Sequence, residues 1–298
     1  MTTVFSNSVV DDETRRGLLY GGEVFVYSAT PSSGRLVDLA RELIAEAFGG
    51  RDPETAQFDL PVEEFAALLA DLKPRFIHHA ECKKLLPAVL EELGCPLDRT
   101  YFDVPRLRTS TSDDYLTSGI SYAFHPHRDC WYSAPFNQLN WWIPIYPVVP
   151  ENVMAFHPRY FDHPVRNGSA RYDYAEWNRT SRLTAAQHVR TDSREQPRPE
   201  EPIELDPQVR VVPEPGGVLL FSGAQLHSTV PNTSGRTRFS IDFRSVNIDD
   251  VRARRGAVNV DAACTGTTLR DFVRCADLDP MPEELALEYE AEALTRPR

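Results

Sequence analysis

Residues 124–132 read "FHPHRDCWY". Two histidines, an arginine and an aspartate fall within five positions, and bulky aromatics follow. In an extended strand every second side chain points the same way, so His125, His127 and Asp129 are expected to share one face. A His-x-Asp pair sets an imidazole nitrogen beside a carboxylate oxygen. Both suit a first-row divalent metal, and one more histidine completes a facial triad with three coordination positions left open. His125 precedes Pro126, which disfavours a regular ladder, so it is assigned to the substrate pocket or to structure rather than to the metal.

The third ligand has to come from elsewhere among the eight histidines. His78 and His79 sit in a helical region and His188 in a polar one. His157 and His163 flank "HPRYFDHP", a strand exit and loop. His227 follows the run "VLLFSG" on a late strand, which closing a barrel would lay beside the early one. His227 therefore ranks ahead of His157. The next strand, "RTRFSIDFRSV", puts Arg238, Ser240, Asp242 and Arg244 on one face and Phe239, Ile241 and Phe243 on the other. An arginine buried near a metal needs an anion, because unpaired charge in a low dielectric is costly. Its planar fork matches a carboxylate at two points. A dicarboxylate that chelates the metal at one end and meets Arg238 at the other satisfies both, and 2-oxoglutarate has that shape. Arg236 and Arg244 are read as surface or ion-pair residues.

The surrounding chain agrees with a barrel. From about residue 99, short runs rich in Val, Ile, Phe, Tyr and Thr alternate with turn residues, among them "TYFDVPRLRTS", "GISYAFHPHRD" and "FNQLNWWIPIYPV". This is the pattern of an antiparallel sandwich or jelly roll. Residues 1–98 read as mostly helical. "SGRLVDLARELIAEAFGG" ends in a Gly-Gly stop, "PVEEFAALLADLKP" stops before Pro74, and a third helix is expected to bend or break near Pro87. Residues 164–203 are too polar for a core and are expected to form an insert or lid over one mouth of the barrel. Residues 248–298 are expected to be a helical extension ending in "PEELALEYEAEAL". One domain is expected over 1–298, mainly β with flanking helices.

Hydrophobic residues make up 41% of the 298 positions, enough for a substantial core. No apolar window is long enough to span a membrane, and the N-terminus lacks a secretory pattern, so a cytoplasmic location is expected. Five scattered cysteines without a C-x-x-C pair argue against a disulfide framework or structural zinc. Cys130 is read as a packed small side chain rather than a nucleophile. The formal charge of −12 excludes a polyanion partner such as nucleic acid or an acidic membrane, and leans towards a cationic small-molecule substrate. The basic residues are 29 arginines and only three lysines.

At "HRD" (127–129), "HSTVPNTSGRTR" (227–238) and the strand region "NWWIPIYPVVPENVMAFHP" between them, the chain resembles the phytanoyl-CoA dioxygenase family of iron(II)- and 2-oxoglutarate-dependent oxygenases. The resemblance covers roughly residues 100–247. It implies a double-stranded β-helix, with Fe(II) on His127, Asp129 and His227, 2-oxoglutarate as cosubstrate and O2 as oxidant. It implies that Arg238 grips the distal carboxylate, helped by the Thr229 hydroxyl. Trp142 falls at the position of a pocket wall, with Asn140 and Gln138 on its face. The family's "PGSH"-like turn is here "HPRYFDHP". Related halogenases lack the carboxylate that Asp129 supplies, which argues against halogenation.

The expected substrate-pocket rim is His125, Arg128, Trp131, Phe136, His157 and Tyr160, joined by Tyr132, Phe161, Asn137 and Gln138. This mixture points to a small, polar, partly cyclic molecule, such as an amino sugar or amino-acid derivative of secondary metabolism. Hydroxylation is the expected outcome, with desaturation and ring formation beginning alike. Two other classes fit parts of the pattern. A cupin-like metal isomerase or hydrolase would leave Arg238 without a use. A non-catalytic binding protein would bind no metal in defined stoichiometry.

Overall fold

The computed structural model describes residues 2–189 and 191–295. The N-terminal third is helical but not only so. Strand β1 (Val4–Ser6) leads to helix α1 (Asp12–Tyr20) and strand β2 (Val24–Tyr27). Helices α2 (Pro31–Phe48), α3 (Val62–Ile77) and α4 (Ala80–Glu92) follow. Thr30 caps α2 in a reciprocal box with Ser33, Pro31 occupies its first turn, and Gly49 ends it at φ 58°, where glycine carries no Cβ penalty. Two breaks fall elsewhere than the prolines imply. α3 runs through Pro74, and α4 contains Pro87. The chain turns between them at His78 and His79, where the His79 ring accepts the Glu81 N–H at 3.3 Å and caps α4.

Strands β3 (Thr100–Phe102), β4 (Arg106–Ser110), β5 (Leu139–Pro144) and β6 (Met154–Phe156) come next, then helix α5 (Tyr174–Thr180) within the polar segment. Strands β7 (Val209–Arg210), β8 (Val218–Ser222), β9 (His227–Thr229) and β10 (Arg238–Asn247) precede helix α6 (Ile248–Ala253), strand β11 (Val273–Arg274) and helix α7 (Glu283–Thr295). An eight-stranded mixed sheet has the order β1-β2-β8-β5-β10-β3-β11, with β4 also paired to β10. Within that sheet, among the described residues, only β1 and β2 pair in parallel. A three-stranded antiparallel sheet has the order β7-β6-β9.

The period of two along β5 and β10 sorts their side chains. Leu139, Trp141 and Ile143, with Phe239, Ile241 and Phe243, join the core under α2, α3 and α4. Trp142 turns the other way and packs with Val24, Leu219 and Phe221 of the large sheet and Phe156 of the small one. The two sheets thus meet face to face, and the polar inner positions of β10 lie between them. At the far end Val246, Val251, Phe272, Leu285 and Tyr289 form a second core beneath α6 and α7. All five cysteines are buried. Burial pushes the Cys130 thiol well above its usual range, in keeping with a packing role. Among the described residues no helix is long and apolar enough to cross a membrane.

Candidate metal centre

The segment expected to be a strand at 124–129 is not one. Pro126 has no N–H to give to a ladder, and only a single antiparallel bridge forms, His127 to His227. That bridge is made of two N–H···O bonds of 2.9 Å, one in each direction. It clamps the two histidine backbones together and sets their rings 4.3 Å apart. Arg128 is extended (φ −113°, ψ 143°), so its neighbours His127 and Asp129 still point the same way. Asp129 then opens a 3-10 turn, Asp129–Tyr132, and its N–H is held by the Gly223 carbonyl at 2.8 Å.

One ligand atom from each of His127, Asp129 and His227 lies within 4.8 Å of the others, and all three residues are buried. Asp129 Oδ1 is 3.5 Å from His127 Nε2 and 3.9 Å from His227 Nε2. Both rings are oriented from behind. Nδ1–H of His127 donates to the His125 carbonyl at 2.8 Å, and Nδ1–H of His227 to the Gln225 carbonyl at 2.9 Å. A carbonyl can only accept, so each Nδ1 carries the proton and each Nε2 presents its lone pair. Burial, reinforced by His127, pushes His227 down to about 4, which keeps the ring neutral at physiological pH. Burial alone would raise the Asp129 carboxyl. Its 3.5 Å contact with the His127 ring and the charge of Arg244 outweigh it and hold Asp129 well below the usual carboxylate range. The donor set is two imidazoles and one carboxylate, which suits a divalent ion.

Asp129 is held by two amides. Gln138 Nε2 and Asn140 Nδ2 each donate to Oδ2 at 2.8 Å, which leaves Oδ1 for the histidine side. Gln138 and Asn140, expected to meet a cofactor, are thus committed first to a ligand.

A chamber of about 90 Å³ lies beside the three ligands, lined also by Asn140, Trp142, Phe221, Thr229 and Arg238. Arg238 is buried, its guanidinium 5.5 Å from the Trp142 ring centroid, and its Nε and Nη1 have no hydrogen-bond partner. Burial lowers it to about 10, with Asp242 opposing, so it stays charged at neutral pH. Asp242 itself is taken by Arg108, at 2.9 Å and 3.3 Å. A buried cation with open donors beside three metal ligands is what an anionic chelator would complete. Thr229 lines the same chamber, where its Oγ1 accepts the Phe124 N–H at 3.2 Å.

The expected pocket rim divides. None of His125, Arg128, Trp131, Phe136, His157 and Tyr160 lines this chamber or the larger cavity that opens onto His127 and Asp129. His125 is exposed and contributes its carbonyl to His127. Arg128 is wholly buried and bonds to Asp261 at 3.1 Å and to the Ala224 and His163 carbonyls. Trp131 donates its indole N–H to Asp261 at 2.7 Å, and Phe136 and Tyr160 pack in the cluster around it. The His157 ring meets Ser228 Oγ at 3.0 Å and the Leu205 carbonyl at 3.3 Å. The cavity, about 510 Å³, takes Tyr132 and Gln138 from the expected rim and Tyr122 and Phe124 from the stretch before it, and is otherwise lined by parts remote in sequence: Lys73 of α3, Arg106 and Arg108 of β4, and Tyr172, Tyr174, Trp177, Arg182 and Arg194 of the polar segment. Period-two spacing of Arg106 and Arg108 was the one sequence signal for the remote parts.

No family model matches this chain, and no curated protein matches it. Solved structures do. The epimerase SnoN, in complex with Fe3+, α-ketoglutarate and nogalamycin RO, is similar over 79% of this chain and 85% of its own, at 14% identity and TM-score 0.41. AviO1 from Streptomyces viridochromogenes Tue57 is similar over 80% and 97%, at 13% identity and TM-score 0.39. EvdO2 from Micromonospora carbonacea var. aurantiaca, complexed with 2-oxoglutarate, is similar over 80% and 92%, at 12% identity and TM-score 0.40.

Proposed function

We propose that this chain is an Fe(II)- and 2-oxoglutarate-dependent oxygenase that oxidises an unactivated C–H of a small molecule. Hydroxylation is the first expectation, and a place in secondary metabolism and a cytoplasmic location go with it. Closure of the two sheets into a double-stranded β-helix belongs to the same reading. One observation carries it: a buried guanidinium, Arg238, whose Nε and Nη1 have no hydrogen-bond partner, shares a small chamber with a His127–Asp129–His227 ligand set. A hydrolase or isomerase with the same ligands would have no anion to place there, and the open donors would cost stability without return.

His127 Nε2, Asp129 Oδ1 and His227 Nε2 would hold the ion, and the backbone clamp and the Gln138 and Asn140 amides keep those atoms aimed at it. Arg238 would receive the distal carboxylate of the cosubstrate, with Thr229 beside it and the Trp142 ring at its flank. With both bound, the iron and 2-oxoglutarate supply reductive activation of O2 coupled to loss of CO2. Phe221, Trp142 and Phe156 keep bulk water from that side of the site.

The test is anaerobic addition of Fe(II) and then 2-oxoglutarate to the full chain. A weak visible charge-transfer band is expected. Arg238→Ala should bind the metal but show no band at moderate cosubstrate, and Asp129→Ala should lose metal binding. Folded, iron-loaded wild-type protein that gives no band and does not bind 2-oxoglutarate overturns the reading.

A further inference from the structure

We infer that the 510 Å³ cavity takes an anionic, ring-bearing molecule whose carboxylate or phosphate meets the Lys73 ammonium. The inference rests on the oxygenase reading only in taking this cavity as the substrate's. It begins from a count of charges. Among the described residues lining the cavity, Asp129 is the single carboxylate, and it is committed to the metal ligand set. The guanidiniums around it are each paired with an acid. Arg106 and Arg244 share Asp103, Arg108 holds Asp242, Arg182 holds Asp271 and Arg194 holds Asp192. Lys73 has none. Its Nζ donates to the Ile120 carbonyl and to Thr109 Oγ1, the latter at 3.3 Å.

The position of that ammonium matters. Thr109 also lines the inner chamber, so Nζ sits where cavity and chamber meet. A group bound to it would lie beside the chamber that His127, Asp129 and His227 line. Burial, with Arg108 adding to it and Asp242 opposing, lowers Lys73 to about 7, the behaviour of a cation short of a counter-charge. Lys73 is one of three lysines in a chain that otherwise uses arginine. A compact ammonium with rotatable donors accepts an arriving anion without demanding fork geometry.

The rest of the wall is aromatic. Tyr132 and Tyr172 meet edge to face with centroids 5.5 Å apart, and Trp177 lies 5.9 Å from Tyr172. Tyr122 and Phe124 stand opposite the polar segment, 5.0 Å apart. Such walls bind rings through faces and edges. The cationic substrate expected from the net charge of −12 does not suit this lining, because an amine would face Lys73 and five guanidiniums. The chain's acidity lies on its outside, and the cavity runs against it.

The test uses four probes of one shape: 1-naphthoate, 1-naphthyl phosphate, 1-naphthylmethanol and 1-naphthylmethylamine. Each is titrated calorimetrically into the full chain loaded with Zn(II), which prevents turnover, at saturating 2-oxoglutarate. The acid or the phosphate is expected to bind about tenfold tighter than the alcohol, the better of the two naming the anion, and the amine weakest. Lys73→Met should remove the anion's advantage and leave the alcohol unchanged. Trp177→Ala should weaken all four alike. The inference is overturned if the amine matches the acid, if the advantage survives Lys73→Met, or if none of the probes binds. It is also overturned if 2-oxoglutarate displaces the acid, which would place the acid on Arg238. Repeating the series without metal and cosubstrate reads Lys73 alone, so a failed oxygenase reading is distinguished from a failed cavity.

Discussion

The two faces of β10 are built by alternate residues of one strand, yet they do opposite things. On the outward face, Phe243 stacks on Trp141 with centroids 5.6 Å apart, and Phe239 meets Phe48 edge to face at 5.9 Å. Phe239, Ile241 and Phe243 are apolar and pack within the fold, and Ser245 beyond them accepts the Trp141 indole N–H at 2.8 Å, so each group there finds its partner. On the inward face stand Arg238, Ser240, Asp242 and Arg244. Asp242 and Arg244 are paired, but Arg238 Nε, Arg238 Nη1 and Ser240 Oγ are buried with no partner. The outward face completes itself on folding. The inward face is completed only by something bound, so its open donors mark where the fold yields stability to function.

If that contrast holds, substitutions on the two faces separate stability from binding. Phe243→Ala should cost about 3–5 kcal/mol of unfolding free energy in a urea titration, since a fully buried ring leaves a cavity that neighbours fill only in part. Its affinity for 2-oxoglutarate, measured while still folded, should stay within about twofold. Arg238→Met should do the reverse. Losing a desolvated charge contact costs roughly a hundredfold in 2-oxoglutarate affinity. The ligand-free protein should melt no lower than wild type, because the variant removes a buried unpaired cation and keeps its stem. A fall of several degrees in its Tm would mean that Arg238 holds the fold together, and the contrast between the faces would collapse.

How much of this was legible in the sequence follows from how local each signal is. Strand alternation in "RTRFSIDFRSV" is visible within ten residues, and the structure keeps that parity. His127 and Asp129 flank one residue, so a single extended Arg128 aligns them even though the expected strand is absent. β1 and β2 escaped notice because they are three and four residues long and join the sheet through β8, far along the chain. The pocket rim was inferred from nearness to "HRD" in sequence. After Asp129 the chain makes a tight turn ending at Ser133 (φ 66°) and carries Trp131 towards Asp261. No local pattern announces that Asp261 takes Arg128 and Trp131, or that α3 lends a lysine to the cavity.

Asn140 offers the finest division between the two kinds of residue, because it lines the chamber and also holds a ligand. Its Nδ2 donates to Asp129 Oδ2 at 2.8 Å, beside the parallel bond from Gln138. If its work is to aim the carboxylate, Asn140→Ala should weaken Fe(II) binding about tenfold, as loss of a partner behind a metal ligand does. Competition with a chromophoric chelator reads this directly. Gln138 retains its own bond to Oδ2, so the metal should not be lost altogether. Affinity for 2-oxoglutarate at saturating metal should then be unchanged. If metal affinity holds and 2-oxoglutarate affinity falls instead, Asn140 serves the cosubstrate, as its place in the strand beside Trp142 first implied, and the carboxylate is oriented by Gln138 alone.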